Sequence, residues 1–228
     1  MLKNLCVALF MVIIPFTLYS QGIRMGLSFS PHASWMKSDV ETVKSDGATL
    51  GFSFGLQSDF FFAERYSLST GLLISNTGGT LIYSDTIDFT TNTSTKTLFP
   101  GSLIKYKLQY IEVPLSFRME SNQIGYFVYY AQFGITNQFL IGASADIEAE
   151  TESGAFSVTG AGCKEEVSFY NLGYNIGTGF NYFFSKNTAL TVGIIYNNGF
   201  IDATSNSGKK VNDNVLLHSL VLKIGVLF

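Results

Sequence analysis

Histidine and cysteine are almost absent from this chain: its 228 residues hold two of each. Cys6 lies in the amino-terminal apolar stretch, which leaves Cys163 alone in the remainder, so no disulfide forms within it. A small residue in a surface loop is the plain reading of Cys163, and a bond to another chain is the alternative. His32 and His218 have no carboxylate partner at ligand spacing, and their strand phases oppose one another. They are read as rim residues with no metal site. No serine or aspartate is tied to either histidine by spacing, so neither a nucleophile–base pair nor a catalytic residue is assigned. No glycine-rich phosphate motif is present, and no cofactor is expected. Charge is scarce as well, at 14% of residues, where soluble proteins carry about 25%. The net charge of −3 argues against a nucleic-acid surface.

Long apolar runs are the other absence. Lys3 precedes an apolar stretch from Leu5 to Phe16, and Thr17-Leu18-Tyr19-Ser20 supplies small residues before Gln21. That stretch is too short to span a bilayer as a helix. Residues 1–20 are therefore read as a secretory signal peptide and residues 21–228 as one domain. Cys6 lies at the start of the apolar run and not at its end, which disfavours a lipoprotein signal. Mean hydropathy is nonetheless +0.25, and aromatics reach 15%. High hydropathy without a helical span is what alternating membrane strands produce, because each spends half its residues on a lumen.

Period-two alternation marks eight strands. They are Gly22 to Ser30, Leu50 to Phe62, Tyr66 to Ser75, Lys105 to Met119, Gly125 to Ile141, Phe169 to Phe184, Thr188 to Phe200, and the carboxy-terminal strand to Phe228. The last sets Leu220, Leu222, Ile224, Val226 and Phe228 on one face. The sixth sets Tyr174, Ile176 and Phe180 against Asn175, Gly177 and Gly179, so its Gly173-x-x-x-Gly177 spacing reflects a crowded lumen and not helix pairing. Three connections are short, at Ala63-Glu64-Arg65, Glu120 to Ile124, and Ser185-Lys186-Asn187. Four are long, at residues 31–49, 76–104, 142–168 and 201–214. This pattern predicts an all-β fold: an eight-stranded antiparallel up-and-down transmembrane β-barrel with short periplasmic turns and four long extracellular loops, integral to an outer membrane. Outer-membrane lipid is its first partner, and Phe228 its signal to the barrel-assembly machinery. The competing fold is a soluble barrel of lipocalin type, which reverses the faces. The terminal aromatic, the aromatic excess and the low charge favour the membrane.

Tyr110-Ile111-Glu112-Val113-Pro114-Leu115 resembles the signature of the PorT-like outer-membrane β-barrel family of Bacteroidota. Gly22 to Ser30, Gly173 to Phe180 and Tyr196 to Asp202 resemble that family's first, sixth and seventh strands. The resemblance implies a small eight-stranded outer-membrane barrel. It implies no single function, since one group of members assists a secretion system. Asp85-Thr86-Ile87 likewise resembles the short O-glycosylation acceptor of Bacteroidota.

Several expectations follow. Arg24, Asp59, Glu112, Arg118 and Lys223 share inward parity and should form a structural charge network, with Asp59 on Arg24 and Arg118, and Glu112 facing Lys223. On that reading Glu112→Gln weakens the heat resistance of the folded barrel. Asp146, Glu148, Glu150 and Glu152 continue the inward parity of strand five and should line the mouth, where they would attract cations; a solvated hairpin face is the alternative. Tyr106, Leu108 and Tyr110 differ in parity from Ile111, Val113 and Leu115, so a bulge or irregular ladder is expected between Tyr110 and Pro114. Outward aromatics should form two belts. The function expected is non-catalytic surface interaction or envelope structure. A narrow channel for ions or solutes and an accessory role in secretion are the alternatives, and the extracellular ligand or partner is unspecified.

Overall fold

A computed structural model describes residues 22–205 and 213–228. The expected signal peptide, residues 1–20, lies outside the described residues, as does part of the fourth long connection. The strands are β1 (Gly22–Ser38), β2 (Val43–Ser45), β3 (Thr49–Ala63), β4 (Tyr66–Tyr83), β5 (Ile87–Thr90), β6 (Thr95–Leu98), β7 (Ser102–Glu120), β8 (Phe127–Thr151), β9 (Gly154–Gly162), β10 (Tyr170–Phe183), β11 (Ala189–Gly199) and β12 (Val215–Leu227). Eight of them, β1, β3, β4, β7, β8, β10, β11 and β12, pair antiparallel in that order. β12 returns to β1 and closes the ring. Closure pairs both edges of every ring strand, as a bilayer demands.

Burial settles which face is inside. On β1, Ser28, Ser30 and Ser34 are buried, whereas Ile23, Met25, Leu27 and Phe29 are exposed. On β10 the asparagines Asn171, Asn175 and Asn181 are buried, and Ile176 is exposed. An apolar exterior around a polar interior is the membrane arrangement, so the soluble reading falls away.

The strands are longer than their alternation suggests. β7 has 19 residues, which is roughly 60 Å of strand. Tilted by about 40°, it rises about twice the apolar band of about 25 Å. Much of the connections expected at residues 31–49, 76–104 and 142–168 is therefore strand that stands beyond the membrane. There the polarity inverts. Ile104, Tyr106 and Leu108 are buried inside while Lys107 is exposed outside. Together with Met36, Leu81, Tyr83, Phe89 and Ile147 they form an apolar core over the barrel mouth. The Tyr83 and Tyr106 hydroxyls lie 3.2 Å apart within it, and burial pushes both phenol pKa values up. The hairpin β5–β6 and strands β2 and β9 cover this dome. Cys163 is not a surface-loop residue. It is packed in the dome core at 1% exposure, where its thiol is not presented to another chain. Thr86 is half-buried just before β5.

The irregularity expected near Tyr110 is present, but its cause differs. Gln109 pairs with Gly142 and Tyr110 with Leu140, so Ile141 is an extra residue in β8. β7 itself keeps its even-numbered residues inside from Ser102 to Glu120, and its register with β4 is the same on both sides of the segment. The apparent phase break marks a change of surroundings along one uninterrupted face. Outward aromatics contact one another near both rims, and Phe29, Phe52 and Phe54 form a further row of contacts on β1 and β3. Phe62, Tyr66, Phe117 and Phe133 cluster towards the periplasmic turns, as do Phe127, Phe180 and Tyr182. Phe139 meets Tyr170, and Trp35, Tyr196 and His218 stack, towards the other rim. Phe127 and Phe139 share β8 and are about 40 Å apart along it, or about 30 Å in height at the usual tilt.

Candidate functional site in the barrel lumen

The lumen has a floor, a chamber and a roof. The floor is ionic because inward positions at the periplasmic ends of neighbouring strands carry long charged side chains. Arg24 on β1 bonds Asp59 on β3 at 3.0 Å and also grips Glu120 on β7. Arg118 on β7, with 0% of its side chain exposed, lies 3.5 Å from Asp59 and 3.2 Å from Glu120. Its guanidinium donates to Asn181 at 3.0 Å and rests 3.6 Å from the Tyr130 ring centroid. Ser69 donates to Asp59 at 2.6 Å. Two guanidiniums thus neutralise two carboxylates, with hydroxyl, amide and ring contacts around them, while Arg24 Nε and Arg118 Nε and Nη1 are buried in charge contact without a hydrogen bond. Opposite charge at this range is what offsets the burial of the ions.

Above the floor is a chamber of about 90 Å³, room for several waters. Its wall is dominated by hydroxyls and amides, among them Ser28, Ser30, Ser53, Gln57, Gln132 and Asn175. Lys223, Glu112 and His32 also face it. Glu112 accepts a hydrogen bond from Gln138 at 2.6 Å, and Gln138 in turn accepts one from Asn171 at 2.8 Å.

The roof is the dome core. Leu217 and Val221 face the chamber from β12, and Leu217 belongs to the core cluster. β4 leaves β3 after Asn76 and folds inward over β1. There the Ser34 hydroxyl donates to Gly78 O at 2.8 Å and accepts from Gly78 N at 3.1 Å. A Cβ at Gly79 would lie 2.6 Å from Met36 N, so glycine is what permits the approach. The chamber therefore lies between the ion cluster below and the packed dome core above.

The model for the outer membrane protein beta-barrel domain matches residues 19–205. The chain belongs to that family. As a member it is an integral protein of the outer membrane. Solved structures with a similar fold include neisserial surface protein A, at 14% identity over 91% of this chain and 98% of that one, with a TM-score of 0.47. The attachment invasion locus protein Ail of Yersinia pestis is similar at 16% identity over 90% and 98%, TM-score 0.42. The outer membrane protease OmpT of Escherichia coli is similar at 10% identity over 92% and 97%, TM-score 0.43. No curated protein matches the chain.

The structure of this family member joins three of the five lumen charges singled out in the sequence, Arg24, Asp59 and Arg118, in ion pairs. Lys223 lies within range of their charges, and Glu112 stands apart. Glu112 does not face Lys223; it bonds Gln138, with Ser75 beside it, and no cation reaches it among the described residues. The charged groups around Lys223 are Arg118, Asp59 and Arg24. Glu120 was missed because strand four was ended at Met119, although Glu120 has the same parity as Glu112 and Arg118.

The proposed mouth carboxylates do not line the mouth. The extra residue at Ile141 shifts β8 by one, so Ala145 and Ile147 turn inward. Glu148, Glu150 and Glu152 face solvent. Asp146 pairs outside with Lys107 at 2.6 Å, and that hydrogen bond holds its carboxyl below the usual range. His32 is buried inside, with Nδ1 3.3 Å from Ser30 O, whereas His218 stacks on Trp35 outside. The wall separates the two rings.

Proposed function

We propose that the protein is a closed, non-catalytic outer-membrane barrel that carries a structured extracellular dome for contact with the cell's surroundings or for envelope structure. The observation that carries this reading is a polar chamber that lies between a buried ion cluster and an apolar packed core. A conducting pore needs a continuous aqueous path, and a buried ion cluster together with close-packed side chains is costly to open. Catalysis finds little support in the lumen: Asp59 and Glu120 are held by guanidiniums, and Glu112 by an amide. The five lumen charges and Glu120 are accordingly read as structural. Purified protein in planar bilayers should give no steady single-channel current; discrete, reproducible conductance steps would favour the channel.

Within the family, the Tyr110–Leu115 segment supports a place among PorT-like barrels of Bacteroidota, and residues 1–20 are read as a cleaved signal peptide. An accessory role in secretion follows that resemblance, and a deletion strain with intact secretion would remove it. Phe228 supports recognition by the barrel-assembly machinery: its ring is exposed, and its backbone is paired with Met25 at 2.8 and 3.1 Å.

A further inference from the structure

The outer wall of a barrel is convex, yet here it has a notch where β4 folds inward at Gly78 and Gly79. The notch has a volume of about 730 Å³. Its lower edge is apolar: Leu50 is 87% exposed, and Phe52 and the bulged Ile141 lie beside it. Its floor holds two amides, with Gln109 Nε2 donating to Asn76 Oδ1 at 3.2 Å. Its upper edge carries Lys105, Lys107 and Lys164. Lys107 is engaged by Asp146. Lys105 and Lys164 make no salt bridge among the described residues, though Lys105 stands opposite Asp146 across the β7–β8 ladder and shares in its field.

Height gives this edge its meaning. Ile141 lies two residues beyond Phe139 of the upper aromatic belt, so the lysines stand at the level of outer-leaflet headgroups. Cations there attract anionic lipid. We propose that the notch binds the phosphorylated headgroup of an anionic lipid of the outer leaflet. The phosphate sits between Lys105 and Lys164, the Gln109 and Asn76 amides lie beneath it, and the acyl chains run down Leu50, Phe52 and Ile141. The apolar lower edge distinguishes a lipid from free phosphate, which has nothing to place there. Three wall features converge on one ligand: a concave break, a basic upper rim and a lipid-facing lower rim.

The test is lipid retention. Barrels are reconstituted in vesicles of dioleoylphosphatidylglycerol and dioleoylphosphatidylcholine, extracted in mild detergent and weighed by native mass spectrometry. The wild type should retain phosphatidylglycerol with about a tenfold preference over phosphatidylcholine. Lys105→Gln combined with Lys164→Gln should bring retention of the two lipids close to equal. The altered side chains lie on the outer surface, and unchanged heat-modifiable mobility on gels will confirm folding. In the wild type, added salt should erode the preference, and millimolar inorganic phosphate should not displace the lipid. Equal retention by the wild type, an undiminished preference in the double variant, or displacement by inorganic phosphate would each overturn the proposal.

Discussion

Below Tyr110 the barrel wall is polar inside and apolar outside; above it the same strands are apolar inside and polar outside. On β7 the inward set runs through Glu120, Arg118, Ser116 and Glu112 and then, with unchanged parity, through Tyr110, Leu108, Tyr106 and Ile104. The backbone does the same thing in both halves, and only the solvent outside differs. Lipid strips the outer face of charge and pushes polar groups into the lumen. Water does the reverse, so the upper half folds like a soluble barrel with a packed core. Charge pairing holds the lower half together, and apolar packing holds the upper half.

Breaking the lower half should cost most. Arg118→Met leaves Asp59 and Glu120 with one guanidinium between them, and a buried pair broken on one side loses about 3–5 kcal/mol. Urea unfolding in lipid should show that loss across the whole barrel. Ile104→Ala opens a cavity in the dome and should cost about 2–5 kcal/mol. Its signature is regional: limited proteolysis should cut β5–β6 and β9 early while the membrane strands stay protected. If both variants unfold the molecule uniformly, the two halves are not energetically distinct.

Glu112→Gln should do little. An amide at this position still accepts the Gln138 hydrogen bond, so the loss should be under about 1 kcal/mol, read as a small change in the temperature at which the folded band disappears on gels. Weaker still is the Lys107–Asp146 bridge on the dome exterior, typically about 0.2–1 kcal/mol for an exposed pair. The lowered Asp146 pKa fixes the sign: the bridge contributes at neutral pH and is lost as pH falls through the lowered value. Asp146→Asn should therefore shift dome stability slightly at pH 7, and the difference from the wild type should shrink as the pH is lowered into the acid range, as followed by proteolysis.

Much of the membrane half was legible in the sequence. Period-two alternation finds its strands, and shared parity finds Arg24, Asp59 and Arg118, because a one-residue spacing error would send each to lipid. The upper half was not legible, for a physical reason. Alternation reports that a strand has two unlike faces, not which face is inside. Lys105-Tyr106-Lys107-Leu108 reads as a phase break after Val113 and Leu115 only if lipid is assumed on both sides of Tyr110. Asp146, Glu148 and Glu150 were misplaced by a different cause, the bulge at Ile141. Nothing in Leu140-Ile141-Gly142 announces an extra residue, which is visible only in the pairing with β7. Glu112 and Lys223 were paired by parity alone, and parity carries no information on the height a side chain reaches.

The measurement closest to the central claim places spin labels at the outward positions of β7, one at a time, in lipid vesicles, and reads their collision with oxygen and with a water-soluble nickel chelate. Labels at Leu103, Lys105 and Lys107 should favour the chelate, labels at Val113, Leu115 and Phe117 should favour oxygen, and the crossover should fall between Gln109 and Ile111. Oxygen preference extending up to Leu103, or a shift of the exposed set by one residue at Tyr110, would contradict a single uninterrupted wall that changes solvent.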